Sequence, residues 1–155
     1  MRIVKICYYS LFAMIYLLAA CSPAELSDFA TPEKAYQTLH HAIVINDMDL
    51  YSRCFLNAED QEMAKSLQSM GGFSKTVKFV EHEVLNKEVI NESEVNLRVR
   101  EVGEKRLSAD EASYHFISIA IVKYRKSLDG WKVYVSTTES VKKARKVGDK
   151  YVPTE

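Results

Sequence analysis

The hydrophobic and polar positions of this chain change period as the sequence proceeds. Residues 6–18 form an uncharged apolar run, residues 31–70 repeat at helical spacing, and residues 76–136 largely alternate. Thr31-Pro32-Glu33 predicts a helix start: a hydroxyl that accepts from first-turn amides, a proline suited to the first position, and a carboxylate at the positive end of the dipole. Ala35, Leu39, Ala42 and Ile43 give that helix one apolar stripe, and Asn46-Asp47 stops it. A short second helix over 49–56 would bury Leu50, Cys54 and Phe55. Asn57 then caps a third, with Met63, Leu67 and Met70 as its stripe and Gly71-Gly72 as its end.

From residue 76 onward β-branched and aromatic residues dominate the chain. Residues 76–90 read as one long strand in which Val77 and Phe79 share one phase and Val80 and Val84 the other, as a bulge would produce. Asn91-Glu92-Ser93 turns the chain. Val95, Leu97 and Val99 then alternate with Asn96, Arg98 and Arg100, the signature of a strand with one face buried and one wet. After a polar connection over 103–112, residues 113–126 carry apolar side chains on both faces, Phe116/Ala120/Val122/Tyr124 and Ile117/Ile119/Ile121. That strand should be central. Asp129-Gly130 closes a hairpin onto 131–136, where Trp131, Val133 and Val135 share a face. Helices followed by an antiparallel four-stranded sheet define an α+β fold.

The N-terminal run is read by its flanks. Arg2 and Lys5 make a positive n-region, and Leu18-Ala19-Ala20-Cys21 resembles the bacterial lipobox, in which cleavage after Ala20 leaves a lipidated Cys21 as the new N-terminus. A plain signal and an uncleaved membrane span are the alternatives. Several acyl chains on one residue exceed what stable anchoring requires. The localisation expected is therefore the cell envelope, and Ser22 directs the protein to the periplasmic face of the outer membrane if the host is Gram-negative. The expected organisation is a signal segment over 1–20, a tether over 21–30, an α+β domain over 31–141 and a basic tail over 142–155. Cys7 leaves with the signal and Cys21 carries lipid. Cys54 remains as a small buried hydrophobe.

Composition removes some function classes. Lysine and arginine number 21 against 21 acids in 155 residues, so no charge excess points to nucleic acid. No phosphate-cradling glycine loop, HExxH, GxSxG or paired CxxC occurs, and no cofactor or metal is expected.

Three stretches carry a family resemblance: TPEKAYQTLHHAIVINDMDLYSRCFL, KFVEHEVLNKEVINESEVNLRVREV and IVKYRKSLDGWKVYVS. In element order and apolar spacing the chain resembles the nuclear-transport-factor-2-like, or ketosteroid-isomerase-like, superfamily, and particularly its small bacterial lipoproteins. The resemblance implies a strongly curved sheet wrapped around the helices as a cone with a cavity at its wide end. Isomerase-type members place a carboxylate base opposite a tyrosine and a protonated acid; that set does not map onto numbered positions here.

The candidate chemistry is scattered. His40 and His41 are adjacent on a helix, point about 100° apart and read as surface residues. His82 and His115 lie on strands and are expected to line the cavity. Glu81 and Glu83 point away from His82, so a cross-strand partner would be needed. Asp47/Asp49 and Glu59/Asp60/Glu62 are explained by helix termini. Tyr36, Tyr51, Phe79, Phe116, Tyr124 and Trp131 are the aromatics placed to line a cavity, against ordinary core packing as the alternative. Arg98 and Arg100 on the outer sheet face, with Lys142, Lys143, Arg145 and Lys146 in the tail, are candidate contacts for an envelope protein or anionic polymer. The expectation is a membrane-tethered, non-enzymatic binding module, with a small apolar ligand carrier or an isomerase-like or hydrolase-like enzyme as the alternative.

Overall fold

The computed structural model describes residues 28–69, 77–105 and 113–154. Ala20 and Cys21, Met70, the Gly71-Gly72 stop and most of the 103–112 connection lie outside them, as does the side chain of Leu67. Three helices precede five strands: α1 (Pro32–Ile45), α2 (Met48–Arg53), α3 (Ala58–Ser69), β1 (Val77–Asn91), β2 (Glu94–Lys105), β3 (Tyr114–Ser127), β4 (Gly130–Val147) and β5 (Lys150–Pro153).

Local chemistry sets the helix ends. Thr31 is extended and accepts from the Lys34 amide through Oγ1, and Asn46 stops α1 in the left-handed region at φ 58. Asp47 caps α2 by accepting from the Leu50 amide at 2.9 Å. The buried face of α1 is wider than the predicted stripe, with Tyr36, Thr38 and His40 buried beside Ala35 and Ala42. His40 is covered by Phe79 and His82, and Thr38 by the Asp28 segment, so more than one side of this helix is enclosed. The predicted stripe of α3 does not hold at Met63, which is 59% exposed; Ala64 is buried instead.

The sheet runs in the order β1-β2-β3-β4-β5, with every neighbouring pair antiparallel. Its inner face receives the helices and carries the main core, including Tyr36, Val95, Leu97, Val99, Val122, Tyr124 and Val133. The predicted faces of β3 are those observed, and β3 is the central strand. The segment after α2 hooks onto β4, since the Leu56 amide donates to Val133 O and the Val133 amide to Cys54 O, both at 2.8 Å. Cys54 is buried, as expected, and its Sγ donates to Leu50 O at 3.3 Å.

Two boundaries are corrected. The expected tether reaches residue 30, but Asp28 exchanges hydrogen bonds with Thr38, and Phe29 is packed in the core. The Phe29 carbonyl accepts from the Trp131 amide at 2.9 Å. The four strands and solvated tail become five strands, because β4 continues to Val147 and turns at Gly148 (φ 60) into β5. Adjacent pairs of charged residues at 142/143, 145/146 and 149/150, set between small or apolar ones, break the period of two and disguise these strands as a tail. On the outer face Tyr151 joins Val102 and Ile117 in a second small core, with Ile119 and Ala144 against it.

Candidate functional site

The site lies on the inner face where α1 crosses β1 and β2. Tyr36 and His40 stand one helical turn apart on α1 and so share a face. His82 on β1 and Glu101 on β2 are register partners across the antiparallel pair, which puts their side chains on one side of the sheet. A bulge between Phe79 and Glu81 makes the site possible. It shifts the alternation by one residue, so that Phe79 and His82, three apart, both face inward, while Glu81 faces outward to Arg100.

Tyr36 donates its hydroxyl to Glu101 Oε1 at 3.0 Å. Burial pushes the Glu101 carboxyl above the usual carboxylate range, against the pull of the Tyr36 bond. The same burial, reinforced by the Glu101 charge, pushes the Tyr36 phenol far up. His40 and His82 are stacked, with ring centroids 3.7 Å apart, and Tyr36 meets His82 edge-on at 5.6 Å. Desolvation and the His82 charge hold His40 down at about 4, and desolvation lowers His82 as well. The result at neutral pH is two uncharged imidazoles beside a reluctantly ionised carboxyl. Among the described residues His40 Nε2 is buried without a hydrogen-bond partner, and so is the Tyr124 hydroxyl deeper in the core.

Phe79 closes this cluster. Its ring packs edge-on against His40 at 5.5 Å and against Phe116 at 6.4 Å. On its other side it lines a cleft of about 250 Å³ between the end of α1 and the start of β1, with Ile43, Val44, Val77 and Lys78. Phe116 lies over Gly103, where an added Cβ would collide with the ring. The cleft is small next to the ~300–1,000 Å³ of drug-sized ligand pockets. Among the described residues no group of three or more His, Cys, Asp or Glu is arranged to hold a metal ion.

The candidates from sequence divide accordingly. Tyr36, Phe79, His82 and Phe116 come together at this site. His40 does too, which corrects its reading as a surface residue: it is 5% exposed. Tyr51 packs on Phe55, and burial raises its phenol to about 12, with Cys54, Asp60 and Glu101 adding to the shift. Tyr124 and Trp131 are core residues further along the sheet. His115 does not line this face; it packs against Tyr151 on the outer one. Arg98 pairs with Glu139 at 2.7 Å. The four tail cations are split by β4 pleating: Lys142 and Lys146 share the phase of Ala144, whereas Lys143 lies over the Tyr114 ring and shares the phase of Arg145. The residue that sequence reasoning misses is Glu101. Its signal is present, since it continues the buried 95/97/99 phase with a charge.

No protein-family sequence model matches the chain, and no curated protein matches it in sequence. Solved structures do. A ketosteroid isomerase-like protein from Erwinia carotovora atroseptica is 16% identical at a TM-score of 0.55, over 76% of this chain and 98% of that one. A type 2 hexachlorocyclohexane dehydrochlorinase (LinA) is 11% identical at a TM-score of 0.56, over 91% of this chain and 97% of that one. The type 3 enzyme from Novosphingobium barchaimii is 13% identical at a TM-score of 0.55, over 92% and 99%. At such identities these likenesses establish the fold, which is nuclear-transport-factor-2-like. Proteins of this fold include enzymes, and fold alone does not fix what a chain does.

Proposed function

We propose that the protein is a binding module whose inner-face site takes a small, mostly apolar ligand bearing one hydrogen-bond donor. Cys21, in this reading, carries the lipid that holds it at an envelope membrane. The observation that carries the proposal is the buried, unpartnered His40 Nε2 beside the Tyr36–Glu101 pair. An unsatisfied buried polar atom costs roughly 1–3 kcal/mol. With the imidazole proton on Nδ1, Nε2 is an acceptor; a ligand N–H or O–H entering past Phe79 would then satisfy it, and the apolar cleft beyond Phe79 would receive the ligand body.

Indole, neutral and with a single N–H, is the probe. Titrated into the full chain in phospholipid nanodiscs with ¹³Cε1-labelled histidine, it should shift the His40 and His82 resonances saturably, and naphthalene should bind more weakly. Unmoved His40 and His82 signals at saturating indole would overturn the reading. For the anchor, Cys21→Ser should abolish incorporation of an acyl label; full labelling of that variant refutes lipidation.

A second reading, proton-transfer catalysis, is favoured by one observation: His82 is exposed on β1, held neutral, and registered against Glu101. A neutral imidazole at the surface is available as a general base. Deuterium uptake α to the carbonyl of cyclohexanone in D₂O, accelerated by the parent and not by His82→Gln, would establish it.

A further inference from the structure

The outer face of the sheet carries a second cavity, of about 310 Å³, lined by Arg100, Ile117, Ile119, Ser140, Lys142, Tyr151 and Pro153. We infer that this groove binds a small alkyl carboxylate, its chain lying on Ile117 and Ile119 and its head group meeting Lys142 and Ser140.

The groove is built by the same extension of the chain that replaces the expected tail. β5 pairs with the end of β4, and Tyr151 packs onto Val102 and Ile117, so β5 overhangs an apolar strip of β3. Arg100 holds this arrangement in place. Its Nη2 donates to the Tyr151 carbonyl at 3.1 Å, and its Nη1 stands 3.6 Å from Glu81. That carboxylate offsets much of its charge. Lys142 forms no ion pair among the described residues, and it is the register partner of Ile117, while Ser140 is the partner of Ile119. An ammonium and a hydroxyl therefore stand on one strand beside two isoleucines on the next. Lys146, 5.8 Å from the Tyr151 ring, adds positive charge at the rim.

This juxtaposition selects the occupant. An apolar floor with uncompensated cations at its edge complements a molecule that is apolar along its length and anionic at one end. A second copy of the chain docked across the same face with its two-fold axis at the groove would set Lys142 against its own counterpart, with like charges opposed.

The test is a titration of octanoate into the full chain in nanodiscs, followed on the isoleucine methyl signals. Ile117 and Ile119 should shift saturably while the histidines of the inner face stay put, and 1-octanol should bind about tenfold more weakly. Lys142→Gln should weaken octanoate about tenfold without unfolding the protein, since that side chain has no internal ion pair to lose. Arg100→Gln tests the same site but also frees β5, so the Lys142 variant decides. The inference is overturned if Ile117 and Ile119 do not respond, if octanol matches octanoate, or if Lys142→Gln binds as the parent does. It is also overturned if the two methyl signals broaden with protein concentration alone, the mark of a second copy on this face.

Discussion

His40 and His82 lie ring on ring, one from the helix and one from the edge strand, with centroids 3.7 Å and planes 29° apart. Two stacked imidazoles cannot both be charged cheaply at that distance, and burial already disfavours the cation on each. Both groups have folded values below their unfolded ones. Their contribution to stability is therefore complete above about pH 6.5 and is lost as pH falls toward the folded value of about 4 for His40. Equilibrium urea unfolding should show up to about 3 kcal/mol lost over that window. His40→Gln should flatten the dependence, leaving the smaller share of His82.

Glu101 has the opposite sign. Its folded value is raised, so it penalises the folded state as pH rises through that value and is without cost below its unfolded range. Tyr36→Phe removes the donor that lowers it. The variant should lose about 1–3 kcal/mol at pH 7 and less at pH 4. Carboxyl ¹³C NMR should show Glu101 titrating higher than in the parent.

Gly130 and Gly148 both have positive φ, at 103 and 60, yet their surroundings differ. A Cβ at Gly130 would fall 2.5 Å from the Phe29 carbonyl oxygen, whereas nothing lies within 4 Å of one at Gly148. Gly148→Ala should cost only the left-handed conformation, about 1 kcal/mol. Gly130→Ala should cost more, about 2–4 kcal/mol, because the Phe29–Trp131 hydrogen bond must break as well. Thermal melts of the two variants side by side decide the order.

Tyr151 is 9% exposed although it lies in the stretch expected as a solvated tail. Tyr151→Ala should destabilise the protein by about 2–4 kcal/mol, since it removes an aromatic ring from Val102 and Ile117. Amide hydrogen exchange should rise at residues 142–153 first. A solvated tail would give no change in either measurement.

Much of the architecture was legible one residue at a time. Thr31, Asn46 and Asp47 act on neighbouring amides, so the ends of α1 and the start of α2 follow from short-range chemistry. The alternation of Val95, Leu97 and Val99 is likewise a local period that identifies a half-buried strand. Glu101 continues that period, and a charge in a buried phase could have been read as a site.

By itself, then, the sequence determined the order of the helices and the first four strands, the ends of α1 and the start of α2, the central place of β3 and the bulge in β1, because each depends on spacing along the chain. Tertiary structure alone decided that His40 is enclosed, that His82 meets Glu101, and that residues 142–153 fold back as strands to make a groove with Arg100. These relations join residues on different elements, far apart along the chain. They depend on strand register and on which faces of α1 the sheet covers, and neither quantity is carried by a local pattern.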